Sequence, residues 1–170
     1  MDNRLLALLL VTLACHGCGK PAPPPSAAAA YPGPPTSAQP KLPTIKVWLG
    51  KEELVTEMAL TPEQQATGMM FRTNMADNEA MIFPLPFTTR ASFWMMNCPH
   101  ALSAAYIDPG GTIQEIHEFQ PFNTNAVISA QDNIRFVLEA SPGWYQRHNI
   151  NTGAVVRTER GSLMETFFHR

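Results

Sequence analysis

Nine of the sixteen prolines in this 170-residue chain fall between Gly19 and Thr44. Proline fixes φ and has no amide donor, so such a stretch cannot enter a sheet and prefers an extended, solvated path. Pro23-Pro24-Pro25, the four alanines Ala27 to Ala30, Pro32 and Pro34-Pro35 read as a spacer over 15–43. At about 3.1 Å per residue the Pro-rich part reaches roughly 80 Å. A Pro-rich run is also used as a docking ligand, but no aromatic-flanked repeat favours that use here. Folding is therefore expected over 44–158, with 159–170 as a C-terminal tail.

The chain before the spacer reads as a targeting segment. Arg4 gives a positive flank, Leu5 to Ala14 form an apolar core, and Thr12, Leu13 and Ala14 lead into Cys15. Ten apolar residues are too few to span a bilayer, which needs roughly 20. The pattern over 1–14 resembles a bacterial lipoprotein signal peptide, cut before a lipid-bearing cysteine. Cys15 suits that role better than Cys18, because His16 and Cys15 are poor residues just ahead of a cut; an ordinary secretory signal is the alternative. Either way the domain is expected outside the cytoplasm, and the lipoprotein reading anchors it to a membrane of the bacterial cell envelope. Cys18 and Cys98 would then sit where disulfides persist. Closing a loop of about 80 residues opposes their meeting, and a buried, inert Cys98 is the simpler reading.

Apolar residues make up 45% of the chain and charged residues 15%. From Thr44 on, nine Lys/Arg stand against thirteen Asp/Glu, a balance of 9 − 13 = −4. With no basic patch to release counterions, a nucleic-acid partner is not expected.

From Ile45 the apolar residues recur with a period of two. Ile45, Val47 and Leu49, then Leu54, Thr56, Met58 and Leu60, flank a Lys51-Glu52-Glu53 break and predict a hairpin. Thr61, Pro62 and Gln64 form a capping-box start and Gly68 a stop, predicting one short helix within 61–68. Further strands are expected over 80–83, 91–96, 103–108, 112–119, 134–139 and 154–158. Pro109-Gly110-Gly111 makes a tight turn between two of them. Many short strands with one helix predict a mainly β fold, a small β-barrel or β-sandwich.

The runs Thr61 to Arg72, Met81-Ile82-Phe83, Ser92-Phe93-Trp94-Met95-Met96-Asn97, Tyr106-Ile107-Asp108 with Gly111 and Ile113, and Phe136-Val137-Leu138-Glu139 with Gly143 carry a family resemblance. Together they resemble the domain-of-unknown-function 192 family over nearly all of Ile45 to Val156. The resemblance implies a small, mainly β, often extracytoplasmic domain without an assigned activity. It also implies departures. The family pattern has Lys, Thr, Asp and a Gly-Asp pair where this chain carries Met96, Cys98, Ser103 and Ala154.

The remaining candidate cluster for ligand binding is Arg72, Trp94, Asn97, Asp108 and Glu139. Arg72 suits a carboxylate or phosphate, Asn97 donates and accepts, and Trp94 offers a flat apolar wall. The competing reading pairs Arg72 with Glu139 inside a filled barrel and leaves Trp94 as core. No catalytic residue is assigned. A hydrolase built on Glu139, Asp108 and Arg72 is one alternative, and Cys98 with His100 is a weaker nucleophile pair. No phosphate-cradling Gly loop, zinc spacing or Ser nucleophile elbow is present, so no cofactor is expected. Another alternative is Cu(I) binding, since Met69, Met70, Met75, Met81, Met95 and Met96 cluster near Cys98, His100 and His117. Met as core filler is the commoner use. The favoured reading is a non-catalytic membrane-anchored binding module, whose partner is a small molecule or an envelope protein. Trp144, Tyr145, Phe167 and Phe168 either form an exposed contact patch or cover one end of the barrel.

Overall fold

The computed structural model describes residues 34–168; the segment read as a signal, Cys15 and Cys18 lie outside them. β1 (Thr44–Leu49) and β2 (Glu52–Met58) form the expected hairpin around Gly50, with Ile45, Val47, Leu49 and Leu54 all buried. α1 (Pro62–Thr67) carries the capping box: the Gln64 amide donates to Thr61 Oγ1 at 3.2 Å and Gln64 Oε1 accepts from the Thr61 amide at 3.0 Å. This helix buries no side chain; it is held instead by Gln65 Nε2, which donates to Ala59 O and Pro84 O. α1 carries the chain across to β3 (Glu79–Thr89), which runs parallel to β2.

After β3 come β4 (Ser92–Phe93), β5 (Leu102–Ile107), β6 (Ile113–Phe119), β7 (Val127–Ile128), β8 (Ile134–Ala140), α2 (Trp144–Arg147), β9 (Val156–Thr158), β10 (Gly161–Ser162) and α3 (Leu163–Phe168). Eight strands form one curled half-barrel sheet in the order β10-β9-β1-β2-β3-β8-β5-β6, while β4 and β7 pair separately. The fold is thus mainly β, as expected. The start of edge strand β6 meets the start of β9 at one antiparallel bridge, Thr112 opposite Val155. Gly111 is needed there: its φ is +82°, and a Cβ would stand 3.0 Å from Val156 O, whose own amide donates to Gly111 O at 2.8 Å. The β5–β6 hairpin turns on the predicted Pro-Gly-Gly segment.

The central strands are covered on both faces. Ala80, Ile82, Ala105, Ile107, Phe136 and Leu138 enter one apolar core; Met81, Phe83, Ala104, Tyr106 and Val137, the alternate residues of the same strands, enter a second. All six residues of β5 are buried, as for a strand covered on both faces, and Ser103, the polar one among them, donates its hydroxyl to Glu118. The second core is roofed by Met69, Met70, Met95 and Cys98 from the connecting segments.

Two expectations need correction. The strand expected over 91–96 is only Ser92–Phe93, because the chain turns at Met95 to Cys98, where the Cys98 amide donates to Met95 O. β3 runs past its expected end at Phe83, and its pairing with β8 breaks between Pro84 and Thr89, where Pro84 and Pro86 have no amide to donate. The C-terminal stretch is an ordered element: Leu163 is buried, Phe167 and Phe168 stand 6.0 and 5.7 Å from the Phe136 ring, and Arg135 lies over Phe168. Trp144 and Tyr145 are buried in the first core and Phe167 packs against it, while Phe168 stays 37% exposed.

The chain ahead of β1 touches the body before the first strand begins. Gln39 Nε2 donates to Gln64 O and Gly68 O, Lys41 pairs with Glu79 at 2.6 Å, and the Leu42 amide donates to Glu57 at 2.7 Å. No helix among the described residues is long and apolar enough to cross a membrane.

Candidate functional site

Glu139 sits near the end of β8, opposite Met81 of β3 and Ala104 of β5, and so faces the second core. Alternation along β8 puts it on the side of Val137, which enters the same core. It is 4% exposed, and its Oε2 is sealed from solvent without a hydrogen-bond partner. Burial pushes its carboxyl up to about 8, since no cation offsets the cost of stripping water from the charge. At neutral pH the group is mainly a protonated carboxylic acid.

That acid closes the floor of a cavity of about 280 Å³. Gly68, Met69 and Met70, following α1, form one wall; Phe83, Phe93 and Trp94 form the aromatic side, and Cys98 adds a thiol. Trp94 is 47% exposed and stands at the rim. The two segments that carry the resemblance motifs are joined here. The Phe71 amide donates to Asn97 O at 2.7 Å, and Asn97, at φ 58°, reverses the chain between Trp94 and Cys98. Asn97 Nδ2 also approaches Met70 Sδ at 4.0 Å. The cavity walls are therefore held by backbone contacts between the motifs.

The structure brings Trp94 and Glu139 to the same cavity, with Asn97 bracing its wall. Arg72 goes elsewhere. It does not pair with Glu139 but donates to both oxygens of Glu57, at 2.5 and 2.9 Å. Burial pushes the Glu57 carboxyl up, but the Arg72 hydrogen bond, the Leu42 amide and the nearby cationic charges outweigh it and hold the group low. A second cleft of about 430 Å³ opens beside this pair, yet Arg72 and Lys41 are matched there by Glu57 and Glu79. Asp108 caps the β5–β6 turn, accepting from the Thr112 amide and Gln114 Nε2. It lies four positions along β5 from Ala104, the partner of Glu139, or roughly 13 Å at about 3.3 Å per residue. Carboxylate pairs in glycoside hydrolysis stand about 5 to 9.5 Å apart.

Cys98 has a free, buried thiol, pushed up to about 12 by burial and then by the Glu139 charge, the reverse of an activated nucleophile. His100 Nδ1 lies 2.9 Å from Ala101 O, and its buried Nε2 lacks a partner. Met81 and Met95 are core filler, while His117 pairs with Glu115 and lies tilted against the Tyr106 ring. Among the described residues no three His, Cys, Asp or Glu side chains converge as a metal site requires. Sequence reasoning missed Glu57 as the partner of Arg72, and it read Gly68, Met69 and Met70 as helix end and core; only their place in the motif pointed further.

Fold and cavity together define a curled half-barrel domain with one buried acid beneath an aromatic and thioether pocket. Residues 45–158 match the model of a family described as Uncharacterized ACR, and the chain belongs to this domain-of-unknown-function family, DUF192. A protein from Sinorhizobium meliloti 1021, provisionally named as a transcription regulator, is similar in structure with a TM-score of 0.66 and 25% identity. The match covers 71% of this chain and 98% of that one. A protein of unknown function from Novosphingobium aromaticivorans DSM 12444 is similar at 0.65 and 28% identity, over 71% of this chain and 91% of that one. No curated protein matches the chain.

Proposed function

We propose that this chain is a lipid-anchored protein of the bacterial envelope whose domain holds a small molecule in the Glu139 cavity without transforming it. One observation carries the binding part: a carboxyl 4% exposed, with Oε2 unpartnered, at the floor of a walled cavity. Burying a polar group without a hydrogen bond is costly, and a ligand that supplies the partner recovers that cost. A largely apolar lining with a few polar groups, here Gln65, Thr67, Ser92 and Glu139, is the usual make-up of a small-ligand site. Separation of Asp108 and Arg72 from Glu139 favours binding over hydrolysis. The acidic balance of the folded part supports a partner other than nucleic acid. Anchoring rests on the signal-like start and Cys15.

Fragment soaking into crystals of the processed chain tests the cavity. Hits seated between Trp94 and Glu139 are expected; a screen whose hits all lie elsewhere overturns the reading. For the anchor, the intact mass of the membrane-fraction protein should include a diacylglyceryl group that Cys15→Ala abolishes, and an unmodified mass sinks that part.

A further inference from the structure

Resting on that binding reading, we infer that the cavity selects an organic ammonium, whose charge pairs with the Glu139 carboxylate while its carbon body lies against Phe93, Trp94 and the Met70 thioether. Charge complementarity carries the argument. Glu139 is the one formally charged side chain lining the cavity, and no Lys, Arg or His joins it there. An anion entering this space meets a carboxyl and no countercharge. A cation meets aromatic rings, whose faces are electronegative, and polarizable thioethers.

The groups around Glu139 leave that position open. β3 contributes Met81 and β5 Ala104 as its direct neighbours. The titratable groups that feel its charge are Cys98, Tyr106 and Tyr145, all driven upward mainly by burial and so neutral near pH 7. Tyr106 spends its hydroxyl on Val127 O and Tyr145 on Leu138 O, each at 2.7 Å, so neither donates to Glu139. The unmatched oxygen thus lacks a donor from every packed element. A volume of about 280 Å³ lies at the small end of ligand pockets, which run about 300 to 1,000 Å³. Small amines fit; nucleotides and peptides do not.

Binding has a proton balance. The empty site holds Glu139 protonated at neutral pH, and the ammonium pairs with its carboxylate, so that proton passes to the buffer. The test compares three probes of one shape and different charge: benzylammonium, benzyl alcohol and benzoate, with methylammonium as a smaller cation. Isothermal titration of the processed chain at pH 7, in buffers of unequal protonation heat, counts the protons released. Benzylammonium should bind at least tenfold tighter than benzyl alcohol, release close to one proton, and tighten on the order of fifty-fold from pH 6 to pH 8 as that proton becomes easier to displace. Benzoate should not bind. Glu139→Gln should remove both the release and the pH dependence; if that variant does not fold, proton release by the native chain still decides. Benzyl alcohol binding as tightly as benzylammonium without proton release overturns the cation while leaving the cavity a binding site. No binding by any of the four probes overturns the cation and counts against the cavity as well.

Discussion

Two buried carboxylates with opposite surroundings set how this domain responds to pH. Glu139 titrates near 8 in the folded state, against about 4.3 in an unfolded chain. Its raised value means that stability is unaffected below about pH 4 and falls as pH rises toward 8, by on the order of 5 kcal/mol in all. Glu57, held low by Arg72 and the Leu42 amide, works the other way: its contribution is present above the unfolded value and is lost in acid. Urea midpoints measured from pH 4 to 9 should therefore peak in mildly acidic solution. Glu139→Gln should flatten the alkaline side while leaving pH 4 nearly unchanged; equal slopes in both chains would reject this account. Arg72→Ala leaves Glu57 buried without its partner and should cost about 3 kcal/mol, more than the Glu57→Gln/Arg72→Ala double variant, in denaturant titrations at pH 7. Glu139 was legible in the sequence only as a charge in a strand motif. Its burial depends on two neighbouring strands and a roof from distant segments, none of which the alternation of β8 encodes. The Arg72–Glu57 pair was invisible because fifteen residues and a helix separate its members.

At the scale of elements, local chemistry was most legible where several signals agreed. The capping box, Pro62 and Gly68 placed α1 within one residue of its observed ends. Thr61→Ala should cost about 1 kcal/mol, read as a shift in thermal or urea midpoint. Gly68 has φ 45° and ψ −126°, a conformation strained for any residue with a Cβ, although Phe83 leaves room at 3.5 Å. Gly68→Ala should therefore cost about 1–3 kcal/mol through the backbone and weaken binding at the cavity wall it forms. An unchanged midpoint would show that the segment relaxes freely. Two-residue strands such as β4, β7 and β10 carry no periodicity, so only their partners define them. The prolines in β3 concealed its length for a related reason: they remove the ladder bonds while the chain stays extended.

Across the molecule, the period-two reading gave a β fold but not its two cores, because a half-barrel covered on both faces hides its inside from its outside. The tail shows the same limit. Leu163 to Phe168 lies outside the family match, and its aromatic residues alone leave a cover and an exposed patch equally open; only the contact with Phe136 decides. Ending the chain after Thr158 exposes the first core beside β9 and should lower the melting temperature by about 10 °C, or prevent soluble expression; an unchanged melt would mean the core is closed without α3.

The residues docked ahead of β1 also give the domain a mechanical input. Tension arriving from the spacer side reaches Gln39, Lys41 and Leu42 before any strand. The Glu57–Arg72 pair then acts as a cleat behind them, with Arg72 Nη2 also 3.4 Å from Pro40 O. Pulling on a single molecule from its N-terminal side should show a first short release of about 15 Å as five residues come free, at a few ångströms each, before the main rupture. A single rupture would place the load directly on β1. If the small step occurs, a pull from the preceding chain is absorbed at the edge of the fold and the Glu139 cavity keeps its shape under load.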